Sequence, residues 1–187
     1  PICFENVGIA GKEDLRVFEF DLSLGRSFFI QFTPFPLFDS HVVIVSREPR
    51  PMIMSRQSVL DMVNLCDLLP NFTLLSNSDV NKAGASILVH HHYQAGHKLH
   101  LPIMEAHEIP SMTYRFAGTT GELAILNFPI ATVRLTCQNS DDLVRIGGQI
   151  IGGWKSLAPG ENTCNLTCQY QEGQYILHIL FRNPHHL

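Results

Sequence analysis

A chain of 187 residues with 45% hydrophobic and 16% charged residues carries enough apolar material for a real core, which excludes a disordered polypeptide. Its net charge of −4, with lysines and arginines scattered along the chain, excludes a surface built to hold a nucleic-acid backbone. No apolar run reaches the roughly 18–20 residues of a membrane-spanning helix.

Residues 14–20 and 26–33 are rich in Phe, Val and Leu and read as strands separated by a turn at Ser23-Leu24-Gly25. Pro34 and Pro36 force a loop. His41-Val42-Val43-Ile44-Val45 reads as a short buried strand. Ser55 can cap a helix whose apolar side is Val59, Leu60, Val63 and Leu65. Phe72 to Leu75 returns to strand, ahead of the polar turn Ser76-Asn77-Ser78-Asp79. Gly84 to Gly96 reads as a further strand, and residues 97–120, with their His, Pro, Gly and Thr, as a loop over the mouth of a site. Leu123 to Leu135 is strand-like with an interruption at Pro129. Ser140 to Trp154 reads as a helix with Asp141 and Asp142 at its start, where the helix dipole favours them. Thr163 to Tyr170 and Tyr175 to Phe181 complete a hairpin. The expected fold is α+β, one domain over residues 1–187 with a mainly antiparallel sheet and about two helices.

The five cysteines are odd in number and widely spread, unlike a disulfide framework. Cys164 and Cys168 would share a strand face about 13 Å apart, too far to bond. Buried free thiols and a cytoplasmic location are the expectation. No signal peptide is visible, and a start at Pro1 without Met reads as a processed or trimmed chain, or a fragment lacking an N-terminal portion.

The informative stretch is Ile87-Leu88-Val89-His90-His91-His92-Tyr93-Gln94. In an extended strand, residues two apart share a face at about 6.5–7 Å spacing, so Ser86, Leu88, His90, His92 and Gln94 would line one side. His91 and Tyr93 would face the other, with Ala85, Ile87 and Val89. Imidazole is a nucleophile when one nitrogen is held protonated by an acceptor and the other is free. His92 is therefore the candidate to attack phosphorus, His90 to fix its ring, and Gln94 to donate to a phosphate oxygen. Gln94 cannot supply a proton at neutral pH, which suits a leaving group that is already a stable phosphate anion. The competing reading is a divalent metal held by His90 and His92 with His97, His100 or His107, although no Cys-x-x-Cys or His-Glu-x-x-His pattern supports it. Arg47, Arg50 and Arg182 could meet phosphates or simply be solvated.

These residues resemble the histidine triad superfamily, and within it the galactose-1-phosphate uridylyltransferases with their H-x-H-x-Q signature, most closely the second, bacterial class. The likeness extends to Phe32-Thr33-Pro34-Phe35, His41 to Ser46, Arg50-Pro51-Met52, Pro70-Asn71-Phe72, Ser76 to Asp79, Leu101 to Met104, Asn127 to Leu135, Asn162-Thr163 and Leu180 to Asn183. The resemblance implies a histidine-triad-like fold, a uridylyl-histidine at His92, and exchange between UDP-glucose and galactose 1-phosphate. It further implies that Asn77 and Ser86 sit beside the phosphates, with Asp79 in the same turn, and that the protein forms a homodimer. The chain departs from the family where Val89 to Gly96 stands for a segment close to S-H-D-H-F-Q-G-G, and where Pro49 and Glu161 replace histidines. A non-catalytic sugar-nucleotide-binding module and a dinucleotide phosphorylase or hydrolase of the same superfamily are the alternatives.

Overall fold

A computed structural model describes residues 4–185 apart from 10, 11, 24, 34 and 86. Ten antiparallel strands form one sheet: β1 (Val17–Ser23), β2 (Arg26–Phe32), β3 (Val42–Ser46), β4 (Phe72–Ser76), β5 (His92–His97), β6 (Glu108–Arg115), β7 (Glu122–Leu126), β8 (Thr132–Cys137), β9 (Thr163–Gln171) and β10 (Gln174–Arg182). Their spatial order is β1-β2-β3-β5-β4-β9-β10-β8-β7-β6. The helices α1 (Arg56–Leu68) and α2 (Ser140–Leu157) pack side by side against one face. The expected α+β class with two helices is what the chain forms.

Alternation along the strands builds this layering. Tyr93 and Ala95 of β5, Leu74 of β4, Leu166 and Cys168 of β9, and Leu177 and Ile179 of β10 are all buried beneath the helices with Val59, Met62, Leu65, Leu143 and Ile151. The intervening residues, among them His92, Gln94, Thr167 and His178, turn to the opposite face.

Ser55 caps α1 as its sequence suggests: its hydroxyl accepts from the Gln57 amide, and the Ser58 hydroxyl accepts from the Ser55 amide. Asn139 caps α2 by accepting from the Asp142 amide. The glycines of α2 do not break it, because two of them set its approach to α1. A Cβ on Gly148 would stand 2.6 Å from the Cβ of Arg56, so only glycine permits that crossing. The far end is tied by Trp154, whose indole N–H donates to the Thr163 carbonyl at 2.7 Å.

Residues 97–120, expected as loop, instead contain a short 3-10 turn at Pro102–Glu105 and the strand β6. β6 lies at the edge of the sheet and is mostly exposed, with Pro110 inside it, so it carries no apolar alternation to announce it. Pro129 does interrupt the expected strand, which becomes β7 and β8. Cys66, Cys137, Cys164 and Cys168 are buried free thiols; Cys3 lies outside the described residues. No helix among the described residues is long and apolar enough to cross a membrane.

Burial lowers His91 to a pKa of about 4, and burial reinforced by the nearby Arg134 charge does the same to His178. Both rings are neutral in the folded chain at pH values where the unfolded chain binds protons at about 6.5. Stability is therefore complete above about pH 6.5 and is lost as pH falls towards 4, by up to about 1.4 kcal/mol per pH unit for each ring. Urea midpoints measured across that range will show the decline, and His178→Asn will flatten it; equal slopes in both proteins would contradict this origin.

Candidate active site

The histidine segment is strand only from His92 onward. β5 pairs with β3 as far as Val45 opposite His92, and with β4 as far as Ser76 opposite Tyr93. Before that point β3 offers one last bond, from the Ser46 amide to the His91 carbonyl at 3.0 Å, and the chain then leaves the sheet. The His91 amide donates to the Arg50 carbonyl at 2.6 Å, and the Met52 amide to the Leu88 carbonyl at 2.8 Å. The expected strand over 84–96 and its five-residue row are thus corrected: among the described members, Leu88 and His90 precede the strand, and only His92 and Gln94 are held on one face by it. Ser86 lies outside the described residues.

The His92 ring has both nitrogens engaged. Its Nδ1–H donates to the carbonyl of His90 at 2.8 Å. That fixes the tautomer and leaves a lone pair on Nε2, which accepts from the Asn77 amide nitrogen at 3.0 Å. Burial lowers the His92 pKa, opposed by the hydrogen bond to His90, so the ring is held neutral. His90 is anchored in turn, its Nε2–H donating to the Ser46 carbonyl at 2.8 Å. His90 therefore orients His92 through its backbone carbonyl while its ring pins that carbonyl to the end of β3.

Gln94 is oriented by a residue that the sequence reading did not assign to the site. The Leu37 amide donates to Nδ1 of His41 at 3.1 Å, so the proton of His41 sits on Nε2 and is donated to Oε1 of Gln94 at 2.7 Å. The Gln94 amide nitrogen is thereby turned towards Asn77, 3.5 Å from its Oδ1. The one signal for His41 was a polar residue heading an otherwise apolar strand. Asn77 stands just past β4 and closes the group, touching both His92 and Gln94.

Asp79 does different work from its neighbour. Its carboxylate accepts from the Met54 amide at 2.7 Å, from the Thr163 hydroxyl and from Lys155 at the end of α2. It ties the loop before α1 to α2 and β9, which holds the turn that presents Asn77.

On the helix side, His91 and Tyr93 join a buried ionic network rather than a purely apolar layer. Asp61 of α1, fully buried, accepts from the guanidinium of Arg26 in a two-pronged ion pair, from Gln57 at 2.9 Å and from the Tyr93 hydroxyl at 2.9 Å. His91 donates to that hydroxyl at 2.8 Å. Strand alternation thus sends Tyr93 down to Asp61 and His92 and Gln94 up to Asn77, and His91, just ahead of the strand, joins Tyr93.

His92 is 3% exposed, and the Asn77 amide covers its Nε2. A cavity of about 570 Å³ is lined by His41 and the 32–40 loop. Another of about 990 Å³ lies farther along the sheet, lined by Thr73, Gln169, His178 and Arg134. His92 lines neither, so a phosphate reaching Nε2 must displace the Asn77 side chain. No cluster of three or more His, Cys, Asp or Glu side chains suited to a metal occurs among the described residues. His100 instead pairs with Glu105, and His97 lies against Phe72.

A family model described as a domain of unknown function, DUF4922, matches residues 11–97. Over 97% of its length the chain is 28% identical to a galactose-1-phosphate uridylyltransferase of Staphylococcus saprophyticus and 29% identical to one of Streptococcus pneumoniae. It spans 40% of the length of each of these relatives. Among solved structures, a DUF4931 family protein from Bacillus cereus superposes with a TM-score of 0.56 at 16% identity, covering 83% of this chain and 82% of that one. Yeast Ap4A phosphorylase in complex with Ap4A gives a TM-score of 0.51 at 13% identity, covering 81% of this chain and 56% of that one. In sequence the chain is similar to these galactose-1-phosphate uridylyltransferases, and in fold it is similar to the DUF4931 protein and to Ap4A phosphorylase.

Proposed function

We propose that the protein is a nucleotidyltransferase working through a covalent nucleotidyl-histidine, with UDP-glucose and galactose 1-phosphate as the substrate pair. The observation that carries this reading is the state of His92: Nδ1–H bound to a carbonyl and a lone pair on Nε2 beside the amides of Asn77 and Gln94. Similarity to galactose-1-phosphate uridylyltransferases supports uridylyl as the group transferred and galactose 1-phosphate as its acceptor.

In the first step Nε2 of His92 attacks the α-phosphorus, forming the N–P bond as the bond from phosphorus to the bridging oxygen breaks. The electron pair leaves with that oxygen as glucose 1-phosphate, which needs no proton. In the second step a phosphate oxygen of galactose 1-phosphate attacks the same phosphorus, the N–P bond breaks and its electron pair returns to the imidazole. The His90 carbonyl holds the Nδ1 proton throughout and stabilises the charge that develops on the ring. The amides of Gln94 and Asn77 donate to non-bridging oxygens, a contribution that rests on positioning and electrostatics. Asn77 exchanges its bond to Nε2 for one to phosphate, so binding uncovers the nucleophile.

Incubation with UDP-glucose labelled in the uridylyl group should leave an acid-labile adduct on the protein, with release of one glucose 1-phosphate per site. Absence of an adduct with UDP-, GDP- and ADP-sugars in folded protein would remove the reading. Thermal stabilisation by those nucleotides without adduct or exchange would instead identify a binding module.

A further inference from the structure

The chain has three arginines whose sequence positions suit phosphate contact, and their surroundings separate them. Arg47 donates from Nε to Glu19 at 2.8 Å, with its guanidinium 3.5 Å from the centre of the Phe4 ring. Arg50 donates to Glu48 at 2.8 Å and to the Gly25 carbonyl at 2.9 Å. Arg182 has neither kind of partner. Among the described residues its guanidinium makes no ion pair and no hydrogen bond, and its Nε is buried with nothing to receive its proton. A guanidinium carries five donors in a fixed fork suited to phosphate, and leaving the buried Nε unmatched is costly.

Its position supplies the reason. Arg182 is four residues beyond His178 on β10 and shares its sheet face, the face of His92 and Gln94. Continuing the pairing of Tyr93 with Ser76 by one residue, and of Leu75 with Thr167 by two, puts His92, Asn77, Asn165 and Leu180 in a row across this face, with Arg182 two residues farther along. Asn165 is locked into that row, its amide nitrogen donating to the Ser76 carbonyl at 3.0 Å, next to Asn77. The Arg182 guanidinium and the Asn165 carbonyl oxygen both lie against Gly84, at the start of the histidine segment. A Cβ at Gly84 would meet Asn165 Oδ1 at 3.3 Å and Arg182 Nη2 at 3.4 Å, and φ there is +86°. The contacts are close, and the positive φ is what favours glycine there.

We infer that Arg182 is the binding group for the second phosphate: the one that leaves with glucose 1-phosphate and enters with galactose 1-phosphate. This rests on the nucleotidyl-transfer reading. The transferred phosphoryl is already flanked by Asn77 and Gln94, whereas Arg182 stands three strands from His92, about 4.8 Å each, on the side of Gly84. Arg182 is thus a substrate-binding residue that selects a diphosphate over a monophosphate.

Calorimetric titration of UMP, UDP and inorganic pyrophosphate into wild type, R182Q and R182K at fixed salt tests it. Wild type should prefer UDP to UMP by about tenfold or more, in line with a charge-assisted hydrogen bond. R182Q should bind UMP as wild type does, lose most of that preference and lose pyrophosphate binding; R182K should lie between. An unchanged UDP preference in R182Q, or equal weakening of UMP and UDP, would overturn the assignment. If wild type binds neither nucleotide, the nucleotidyl-transfer reading fails on its own. Pyrophosphate binding then still decides on Arg182, and equal affinity in wild type and R182Q refutes it.

Discussion

Replacing His92 by alanine is expected to remove the uridylyl adduct altogether and to lower exchange by at least about 10⁴-fold, since no other group in the site can take over covalent catalysis. Gln94→Ala should still form the adduct, about 10²–10³-fold more slowly, because it removes a donor to phosphate oxygen while leaving the nucleophile in place. The pair of variants separates attack from stabilisation when adduct formation is followed in single-turnover mixing. The pH dependence follows from the lowered pKa of His92. Only the neutral ring attacks, and burial keeps it neutral where a free histidine would be half protonated. Adduct formation by wild type should therefore stay level from pH 8 through 6.5 and decline only below. A half-maximal rate at or above pH 6.5, or an adduct on H92A, would show that the nucleophile has been misassigned.

Asp61→Ala is expected to cost about 3–5 kcal/mol of folding stability, the largest effect foreseen for any residue outside the site. Asp61 is fully buried, and its removal strands the Arg26 guanidinium, the Tyr93 hydroxyl and the Gln57 amide together. Tyr93→Phe, which removes one hydroxyl and keeps the ring, should cost only about 1–2 kcal/mol. Guanidinium unfolding of the three proteins checks this ordering; a loss below about 1 kcal/mol for D61A would mean that the network contributes little. The effect also reaches the site. His91 and Tyr93 are the downward-pointing residues between His90, His92 and Gln94, so their anchorage to α1 keeps His92 and Gln94 turned to the opposite face. A D61A protein that remains folded should lose exchange rate as the register of β5 loosens.

The candidate nucleophile is legible in the sequence because the reading depends on local chemistry. Imidazoles and a carboxamide at alternate positions beside an apolar run have few other uses, and strand alternation places His92 and Gln94 together however the rest folds. The cap at Ser55 and the turn at Gly25 follow from side-chain and backbone preferences within a few residues. β6 was invisible because an exposed edge strand buries no face and so imposes no pattern. The strand expected over 84–91 failed for the opposite reason: its composition suits a strand, but β4 pairs no farther than Tyr93 and β3 bonds only as far as His91.

What the chain's own order of residues determined is the choice of candidate reacting groups and the layered α+β build, since both rest on periodicities of two and about 3.6 residues that the covalent chain carries with it. Only tertiary structure decided which groups those residues meet: His41 behind Gln94, Asp61 beneath His91 and Tyr93, and Arg182 beside Gly84. These partners are separated by 53, 32 and about 98 residues respectively. A sheet whose spatial order differs from its chain order brings them together by backbone pairing, and no local pattern records it.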